Sequence, residues 1–270
     1  MTNTGKMQRG TRVHIKTAEE LAIMREAGRI VALAHQAMRA AVKPGVTTAE
    51  LDKIAETVVR DHGAIPAFLG YPKQGAPDYP ATINASINNE LVHGLPGKRA
   101  LKEGDIISLD VGCIYQGFVG DGAFTMGVGE IPAAVQRLLD VTEQALHVGI
   151  KASVLPNEVK HVSLAIQQYV EKFGYSLARE YTGHGVGRHM HEEPQVPNWW
   201  PKGARQRGFI NYKLEPGMTY AIEPMVIAGR AETKELDDKW TVVTRDGSLC
   251  AHFEHTIAIT TGEPMILTLP

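Results

Sequence analysis

Two stretches near the start of the chain carry hydrophobic residues at helical spacing behind the same capping motif. Thr17 to Glu20 and Thr47 to Glu50 both read Thr-x-x-Glu, in which each side chain satisfies a backbone N–H at the start of a helix. Behind the first motif, apolar residues recur every three to four positions as far as Met38 and predict a helix over about 18–42. Pro44-Gly45 ends that helix, and the second motif opens another that continues to about residues 62–63.

Alternating and branched residues predict strands in the middle and the last third of the chain. Residues 105–111 begin one strand and residues 118–127 form a second, whereas the Pro-, Gly- and Asn-rich stretch 64–97 predicts mostly loop with a short strand at 84–87. Helices are predicted at about 132–150 and 157–173. The remaining strands are predicted at 175–181, 188–192, 218–228, 240–245 and 249–260.

The order helix, helix, strands occurs twice, and short segments of the two halves resemble each other. Lys43 precedes an acid by seven residues, as Lys151 does, and Gly104 precedes a strand acid by six, as Gly217 does. A half of this kind cannot bury its own sheet face, so we expect both halves to share one curved sheet with helices outside it. The predicted class is α+β, with an extension over 1–16 and one catalytic domain over 17–270, divided at about 17–128 and 129–265.

Composition and charge narrow the class of protein. Hydrophobic residues make up 43% and charged residues 21% of the chain, and the formal net charge is −2, which is typical of a globular chain and argues against a DNA-binding surface. We find no apolar run of the roughly 18 residues that a membrane helix needs, and no apolar signal segment. Two cysteines do not make a disulfide scaffold, so we expect a cytoplasmic protein with no membrane partner.

Two aspartates are predicted to meet on one hairpin. A two-residue turn at Gln116-Gly117 places Asp121 opposite Gly112, which lies two residues from Asp110 on the same strand face. The two carboxylates are then diagonal neighbours, about 7–8 Å apart at the backbone. Two isolated turn aspartates are the plainer interpretation. We favour a site, because two anions on one apolar hairpin repel each other unless a cation lies between them; Gly112, Gly120 and Gly122 are expected to leave that face open.

Three histidines lie within eight residues in the segment Gly183 to Pro194. The Gly-x-Gly spacing there is not a nucleotide loop, because the preceding strand, the following helix and the later acid are missing. Gly185 and Gly187 also argue against a zinc-binding helix. Neutral imidazole ligands on an open backbone are therefore favoured over histidines present by accident in a glycine-rich loop.

Glu223 and Glu254 interrupt two otherwise apolar strands. Each is either an outward residue of a half-exposed strand or a paired internal charge, and alternation alone leaves the choice open. Together with Asp110, Asp121 and His184 they make four carboxylates and one imidazole. Such a set suits hard or borderline divalent ions, and four carboxylates suffice to bridge two ions about 3.5–4 Å apart.

Over about residues 17–262, the sequence resembles type I methionine aminopeptidases of the pita-bread fold. The matching segments are 90–96, 110–121, 183–187 with 191–194, 217–225 and 253–256. The resemblance implies that Asp110 binds one ion and that Asp121 and Glu254 bridge two. His184 and Glu223 would bind the other ion, with Glu223 also the proton shuttle. The two ions per chain would be Co, Mn, Fe(II), Zn or Ni.

The resemblance also implies a reaction. A metal-bridging hydroxide would attack the first peptide bond of N-terminal methionyl peptides and nascent chains whose second residue is small. His93 and His191 match the two histidines that contact the substrate, and an imidazole can donate to a developing oxyanion or leaving nitrogen. The residues that match the wall of the methionine pocket are Phe68, Tyr71, Tyr79, Asn84, Met190 and Trp240. At Phe68 and Asn84 the family commonly carries cysteine or a small residue, and at Met190 an aromatic one.

Two segments depart in length from the family. Pro72 to Asp78 contains about five extra residues, and Asn198 to Arg207 is slightly longer than usual. The two tryptophans of this second segment lie beside Lys202, Arg205 and Arg207. They are expected either to contact ribosomal RNA in a transient association or to cover the chain's own sheet and helix.

For the oligomeric state, we expect a monomer.

Three alternatives compete with this interpretation. A proline-specific aminopeptidase or dipeptidase shares the five ligands but usually carries a long N-terminal domain. A non-catalytic binding protein on this fold would have lost the ligands, which are all in place here. A dinuclear hydrolase of another ester or amide is the third.

Overall fold

The computed structural model describes residues 13–201 and 209–270. Within these residues the helices are α1 (Ala18–Ala41), α2 (Thr48–Asp61), α3 (Ala133–Ala152) and α4 (Val159–Glu171). The first strands are β1 (Ile65–Pro66), β2 (Ile83–Ile87), β3 (Glu90–Val92), β4 (Ile106–Tyr115), β5 (Phe118–Gly127), β6 (Ser176–Leu177), β7 (Gly183–Gly185) and β8 (Glu192–Val196). The later strands are β9 (Thr219–Ile222), β10 (Met225–Ile227), β11 (Thr233–Glu235), β12 (Val242–Thr244), β13 (Cys250–His252), β14 (Glu254–Ala258) and β15 (Met265–Ile266).

Both predicted capping boxes form, and they set the starts of α1 and α2. The backbone N–H of Glu20 donates to the Thr17 hydroxyl at 3.3 Å, and the N–H of Thr17 donates to the Glu20 carboxylate at 3.1 Å. Thr47 and Glu50 repeat the arrangement. Four otherwise unpaired polar groups are thereby satisfied, and all four predicted helices are confirmed within two residues at each end.

The large sheet runs β1-β4-β5-β14-β9-β7-β8, with β2 beside β4 and β15 beside β14. Each of these strand pairs is antiparallel, as the predicted fold class requires. The central hairpin closes at Gln116-Gly117, where both residues adopt positive φ angles of 46° and 80°. Two three-stranded sheets, β13-β10-β6 and β11-β12-β3, complete the described strands.

Helix α1 packs so closely on β5 that the contact requires glycine. A Cβ on Gly120 would lie 2.6 Å from the backbone of Ala27, and one on Gly122 would lie 3.3 Å from the side chain of Val31. The expectation that Gly120 and Gly122 keep the aspartate face open is therefore wrong. Since neighbouring residues of a strand point to opposite faces, these two glycines face the helix and Asp121 faces away from it.

Several strand predictions need correction. The stretch 64–97 contains β1 and β3 besides the predicted β2. Of the strand predicted at 188–192, residues 188–191 are a run of bends between β7 and β8, because the Glu192 carboxylate accepts the backbone N–H of His189 in place of a neighbouring strand, and only Glu192 is in a strand, as the first residue of β8. The long strands predicted at 218–228 and 249–260 each break in two, the first at Pro224, which has no N–H to donate.

The proposed duplication stays a prediction, and one pair of contacts supports it. Isolated antiparallel bridges join Thr47 to Ala100 and Glu158 to Lys213, and Thr47 and Glu158 are the N-cap residues of the second helix of each half. Residues 1–12 of the predicted extension over 1–16 lie outside the described part of the chain. Among the described residues, no helix is both long and apolar enough to cross a membrane.

The contact between α1 and β5 predicts the effect of one added methyl group. Gly120→Ala should destabilise the protein by about 1–3 kcal/mol, because the methyl group meets helix backbone that cannot move aside. Gly97→Ala is the matched control, since a Cβ there has no atom within 4 Å. Urea unfolding measures both variants, and equal midpoints would contradict the proposed contact.

Candidate metal centre

The hairpin brings Asp110 and Asp121 together in the predicted register. Gly112 pairs with Asp121, and Asp110 pairs with Ala123, so both carboxylates occupy the inner face of the β4–β5 pair. Gly112 keeps that face accessible, because a Cβ there would lie 2.8 Å from the end of the Met190 side chain. Gly112 therefore leaves room for the site as expected, whereas Gly120 and Gly122 do not.

Strand pairing resolves the orientation of Glu254, which alternation had left open. Glu254 pairs with Ala123, and Ala123 pairs on its other side with Asp110. Directly paired residues of neighbouring strands share a face, so Glu254 joins the two aspartates. Its side chain is 3% exposed.

His184 and Glu223 complete the cluster from the next strands of the sheet. His184, on β7, uses Nδ1 to contact the Gly185 carbonyl at 3.1 Å, and its Nε2 lies 3.5 Å from Glu223 Oε1 and 3.8 Å from Asp121 Oδ2. If Nδ1 carries the proton for that carbonyl, Nε2 presents its lone pair to the carboxylates. Glu223 follows β9 directly, where Pro224 ends the strand pairing.

Burial makes these carboxylates hard to ionise without a cation. It raises the pKa of Asp110 to about 7, against a hydrogen bond from Asn84 that lowers it. Burial, and then the neighbouring carboxylates, also raise the pKa values of Asp121, Glu223 and Glu254 well above their ordinary range. One oxygen each of Asp110, Asp121 and Glu254 is buried without a hydrogen-bond partner among residues 13–201 and 209–270.

The donor set fits a divalent metal ion. Ligand atoms of Asp121, His184 and Glu254 all lie within 4.8 Å of one another, and the three unpaired carboxylate oxygens need a positive partner in this buried place. Oxygen donors dominate and none of the donors is a thiolate, which suits hard or borderline ions.

A pocket of about 430 Å³ lies above the cluster. All six residues predicted for its wall line it, together with both predicted histidines. These residues are Phe68, Tyr71, Tyr79, Asn84, Met190, Trp240, His93 and His191. The wall is largely aromatic: the Tyr79 ring meets Trp240 edge-on at 4.9 Å and Phe68 at 6.4 Å.

The two histidines approach the pocket from different loops. His93 adopts a positive φ of 60°, and burial, with a smaller contribution from Lys73, lowers its pKa to about 4, so the ring is neutral near pH 7. His191 lies beside His184, with 4.3 Å between ring centroids. The Tyr71 hydroxyl lies 2.6 Å from His191 Nδ1, so Tyr71 orients this histidine as well as lining the wall.

An ion pair from the start of the chain holds the loop that carries His191. Lys16 Nζ donates to Glu192 at 2.7 Å, with the lysine side chain 1% exposed. The same carboxylate accepts the N–H of His189 at 3.1 Å. Glu192 also lies where a side chain on Gly187 would be, so the loop closes around this carboxylate.

The inserted segment Pro72 to Asp78 supports the pocket wall from outside. The Trp240 indole N–H donates to the Pro77 carbonyl at 2.9 Å, and Lys73 Nζ lies 5.1 Å from the centre of the Trp240 ring. Lys73 also forms an ion pair with Glu235. The extra residues therefore fix the orientation of Trp240.

Two residues near the ligands act in ways that the sequence did not reveal. Asn84, expected as a wall residue only, donates from Nδ2 to Asp110 at 2.6 Å, because β2 pairs with β4 at this position. His252 was not predicted at all; burial lowers its pKa to about 3, and Nε2 lies 3.7 Å from Glu223 Oε2. Its position two residues before Glu254 was the available signal.

The tryptophan pair packs largely on its own chain. Trp200 is 9% exposed in the main core, and Trp199 meets Phe209 and Arg179. Coverage of the chain's own surface is therefore the favoured alternative for Trp200. Lys202, Arg205 and Arg207 lie outside the described residues.

The fold and the buried donor set together define a metal-dependent hydrolase. A model of metallopeptidase family M24 matches residues 22–261. Methionine aminopeptidase 1 of Bacillus subtilis is 50% identical over 253 residues, which are 94% of this chain and 98% of that protein. The chain therefore belongs to metallopeptidase family M24 and, within it, to the methionine aminopeptidases.

Comparison with solved structures supports the same assignment. The crystal structure of methionine aminopeptidase from Thermotoga maritima matches with a TM-score of 0.89 at 42% identity, covering 96% of this chain and 100% of that one. The Xaa-Pro dipeptidase from Bacillus anthracis matches with a TM-score of 0.74 at 22% identity, and the match covers 61% of its length. That second likeness shows the shared pita-bread fold alone.

The raised carboxyl pKa values predict how the metal-free protein responds to pH. Its folded state holds protons that the unfolded carboxyls, with pKa values near 4, have lost, so unfolding free energy should fall as pH rises. Buried histidines act in the opposite sense only below about pH 6.5, where the unfolded imidazole gains its charge.

Thermal unfolding of chelator-treated protein between pH 7 and 9 tests this expectation. The unfolding free energy should decrease with pH, and Asp121→Asn should make the slope shallower by up to about 1.4 kcal/mol per pH unit. Saturating Mn²⁺ should abolish the decrease. A slope of the same size in the parent and in Asp121→Asn would show that this carboxyl does not carry a raised pKa.

Proposed function

We propose that the protein removes the N-terminal methionine from peptides and nascent chains whose second residue is small. One observation carries the proposal: four carboxylates, three of them buried and that of Asp110 half-buried, and an imidazole line an aromatic-walled pocket that is also lined by two further histidines. Relatives at 50% identity are methionine aminopeptidases, which supports the same substrate class for this chain.

Five residues would hold a pair of divalent ions. Asp110 would bind one ion, Asp121 and Glu254 would bridge both, and His184 and Glu223 would bind the other. When bound, the ions supply a hydroxide nucleophile near neutral pH. The three unpaired buried carboxylate oxygens support a cation here. The choice among Co, Mn, Fe(II), Zn and Ni depends on cellular supply as much as on the ligands.

The residues of the chain divide the remaining tasks of the reaction. Glu223 is placed to receive a proton on its carboxylate and to pass it to the leaving amine, because it lines the pocket and a carboxylate can act in turn as base and acid. His93 is neutral near pH 7 and can donate to the substrate without leaving a buried charge. His191, oriented by the Tyr71 hydroxyl, can stabilise the developing oxyanion.

The pocket wall supports a preference for methionine. Phe68, Tyr79 and Trp240 offer ring surfaces, and Met190 offers a flexible thioether that fills irregular gaps. An unbranched apolar side chain matches such a wall, and sulfur contacts aromatic rings favourably. Asn84 adds one polar group, whose amide is already committed to Asp110.

The extent of the matches and the set of donor side chains bear on two of the three alternatives, the proline-specific enzyme and the non-catalytic binding protein. The proline-specific relative matches over only 61% of its length, whereas the methionine aminopeptidases match over nearly all of theirs. All five metal-ligand positions carry donor side chains, and they converge, which disfavours a binding protein without catalysis. We propose a monomer acting in the cytoplasm, with transient ribosome association.

A peptide panel tests the substrate class. Metal-loaded protein should release methionine from Met-Ala-Ser at least about 100-fold faster than it releases the first residue of Leu-Ala-Ser or Leu-Pro-Ser, a difference of about 2.7 kcal/mol in transition-state binding. Product formation is measured by chromatography. Faster cleavage of a proline-containing peptide would replace the proposal with the proline-specific alternative, and cleavage of none would leave the binding protein.

Two substitutions separate metal binding from catalysis. His191→Ala should retain two ions per chain and lose about 100-fold or more in turnover, which is typical for one acid–base or oxyanion contact. Asp121→Ala should lose bound metal as well as turnover. Elemental analysis of protein after gel filtration measures the metal content. Two retained ions in Asp121→Ala would refute the bridging role.

A further inference from the structure

His252 is held rigidly at the edge of the metal centre. It is the last residue of β13, and its backbone N–H donates to the Thr125 hydroxyl at 2.8 Å. The same hydroxyl donates to the His252 carbonyl at 2.7 Å. Strand β10 pairs with β13 on the other side, Met225 against His252. The imidazole therefore projects from a backbone that is fixed on both edges.

The imidazole of His252 is buried with a polar atom unpaired. Its side chain is 3% exposed, and among the described residues Nε2 has no hydrogen-bond partner. Nε2 lies 3.7 Å from Glu223 Oε2 and 3.9 Å from Glu254 Oε2. Both separations are within about an ångström of a normal hydrogen bond, so a small side-chain rotation brings either oxygen into range.

In both glutamates it is Oε2 that lies near His252 Nε2. The other oxygen of Glu223, Oε1, lies 3.5 Å from His184 Nε2. The other oxygen of Glu254, Oε1, is buried and has no hydrogen-bond partner among the described residues. A contact between His252 and the Oε2 atoms therefore leaves one oxygen of each glutamate for another partner.

We propose that His252 is a positioning residue of the metal centre, which it serves by donating Nε2–H to the Oε2 atoms of Glu223 and Glu254. This inference rests on the metal site of the proposed function. A carboxylate with one oxygen held by a fixed donor presents the other in a constant orientation, and such outer hydrogen bonds strengthen metal binding. His252 itself is not a ligand.

Metal affinity tests the proposal without reference to peptide cleavage. Metal-depleted protein is titrated with Mn²⁺ and free ion is followed by electron paramagnetic resonance. His252→Leu, which has no donor, should weaken binding about 10–100-fold, with the number of ions unchanged. His252→Gln, which restores an N–H, should bind within about threefold of the parent. Parent affinity in His252→Leu would overturn the proposal.

His255 provides the matched control. It is also a strand histidine, half-buried and one residue beyond Glu254, but its ring nitrogen contacts the Thr268 hydroxyl at 2.7 Å. His255→Gln should leave Mn²⁺ affinity unchanged. An equal loss in His255→Gln and His252→Leu would mean that any histidine change in this sheet disturbs the site, and would overturn the specific role of His252.

A second measurement is made on the parent protein, so its result does not depend on whether a variant folds. Long-range ¹H–¹⁵N correlation spectra of the Zn²⁺-loaded parent report the state of each histidine nitrogen, and His252→Gln identifies the His252 signals. We expect His252 Nε2 to carry a proton. An unprotonated Nε2 would make His252 an acceptor or a ligand and overturn the proposal, whereas failure to bind Zn²⁺ at all would instead refute the proposed function.

Discussion

The arrangement of this molecule depends on the repulsion among four carboxylates that share one buried space. Asp121, Glu223 and Glu254 are buried and Asp110 is half-buried, and without a cation burial raises the pKa of each carboxyl and so favours its neutral form. The carboxylates cannot move apart, because the strands that carry the acids are fixed by pairing on both sides. Without a metal ion this crowding destabilises the folded protein. With a divalent ion the same carboxylates form a binding site.

Around that cluster, the backbone is arranged so that each face of one hairpin has a different use. Along β5, Asp121 faces the inside, whereas its neighbours Gly120 and Gly122 lie under α1 on the outer face. The close approach of α1 on Gly120 fixes the hairpin, and the open space at Gly112 admits the pocket wall. Small residues therefore position the site on one face by permitting helix contact on the other.

Local signals predicted the four helices and the central hairpin, and they singled out acidic and histidine residues that the fold brings to one pocket. The capping boxes at Thr17 and Thr47 set the helix starts, and the Gln116-Gly117 turn set the hairpin register, because these features depend on neighbouring residues only. Contacts between distant strands could not be read in the same way. The face of Glu254, the bond from Asn84 and the position of His252 all depend on which strands become neighbours. The bends at 188–191 depend on the side chain of Glu192, whose partner Lys16 lies far away in the sequence.

Asn84 belongs to two systems at once. Its side chain is part of the pocket wall, and its amide donates to Asp110. The shape of the pocket and the basicity of this carboxylate are consequently not separable at this position. Any redesign of the pocket that replaces Asn84 also removes a hydrogen bond that lowers the pKa of Asp110, so a variant with a new pocket shape also carries a more basic carboxylate beside Asp121.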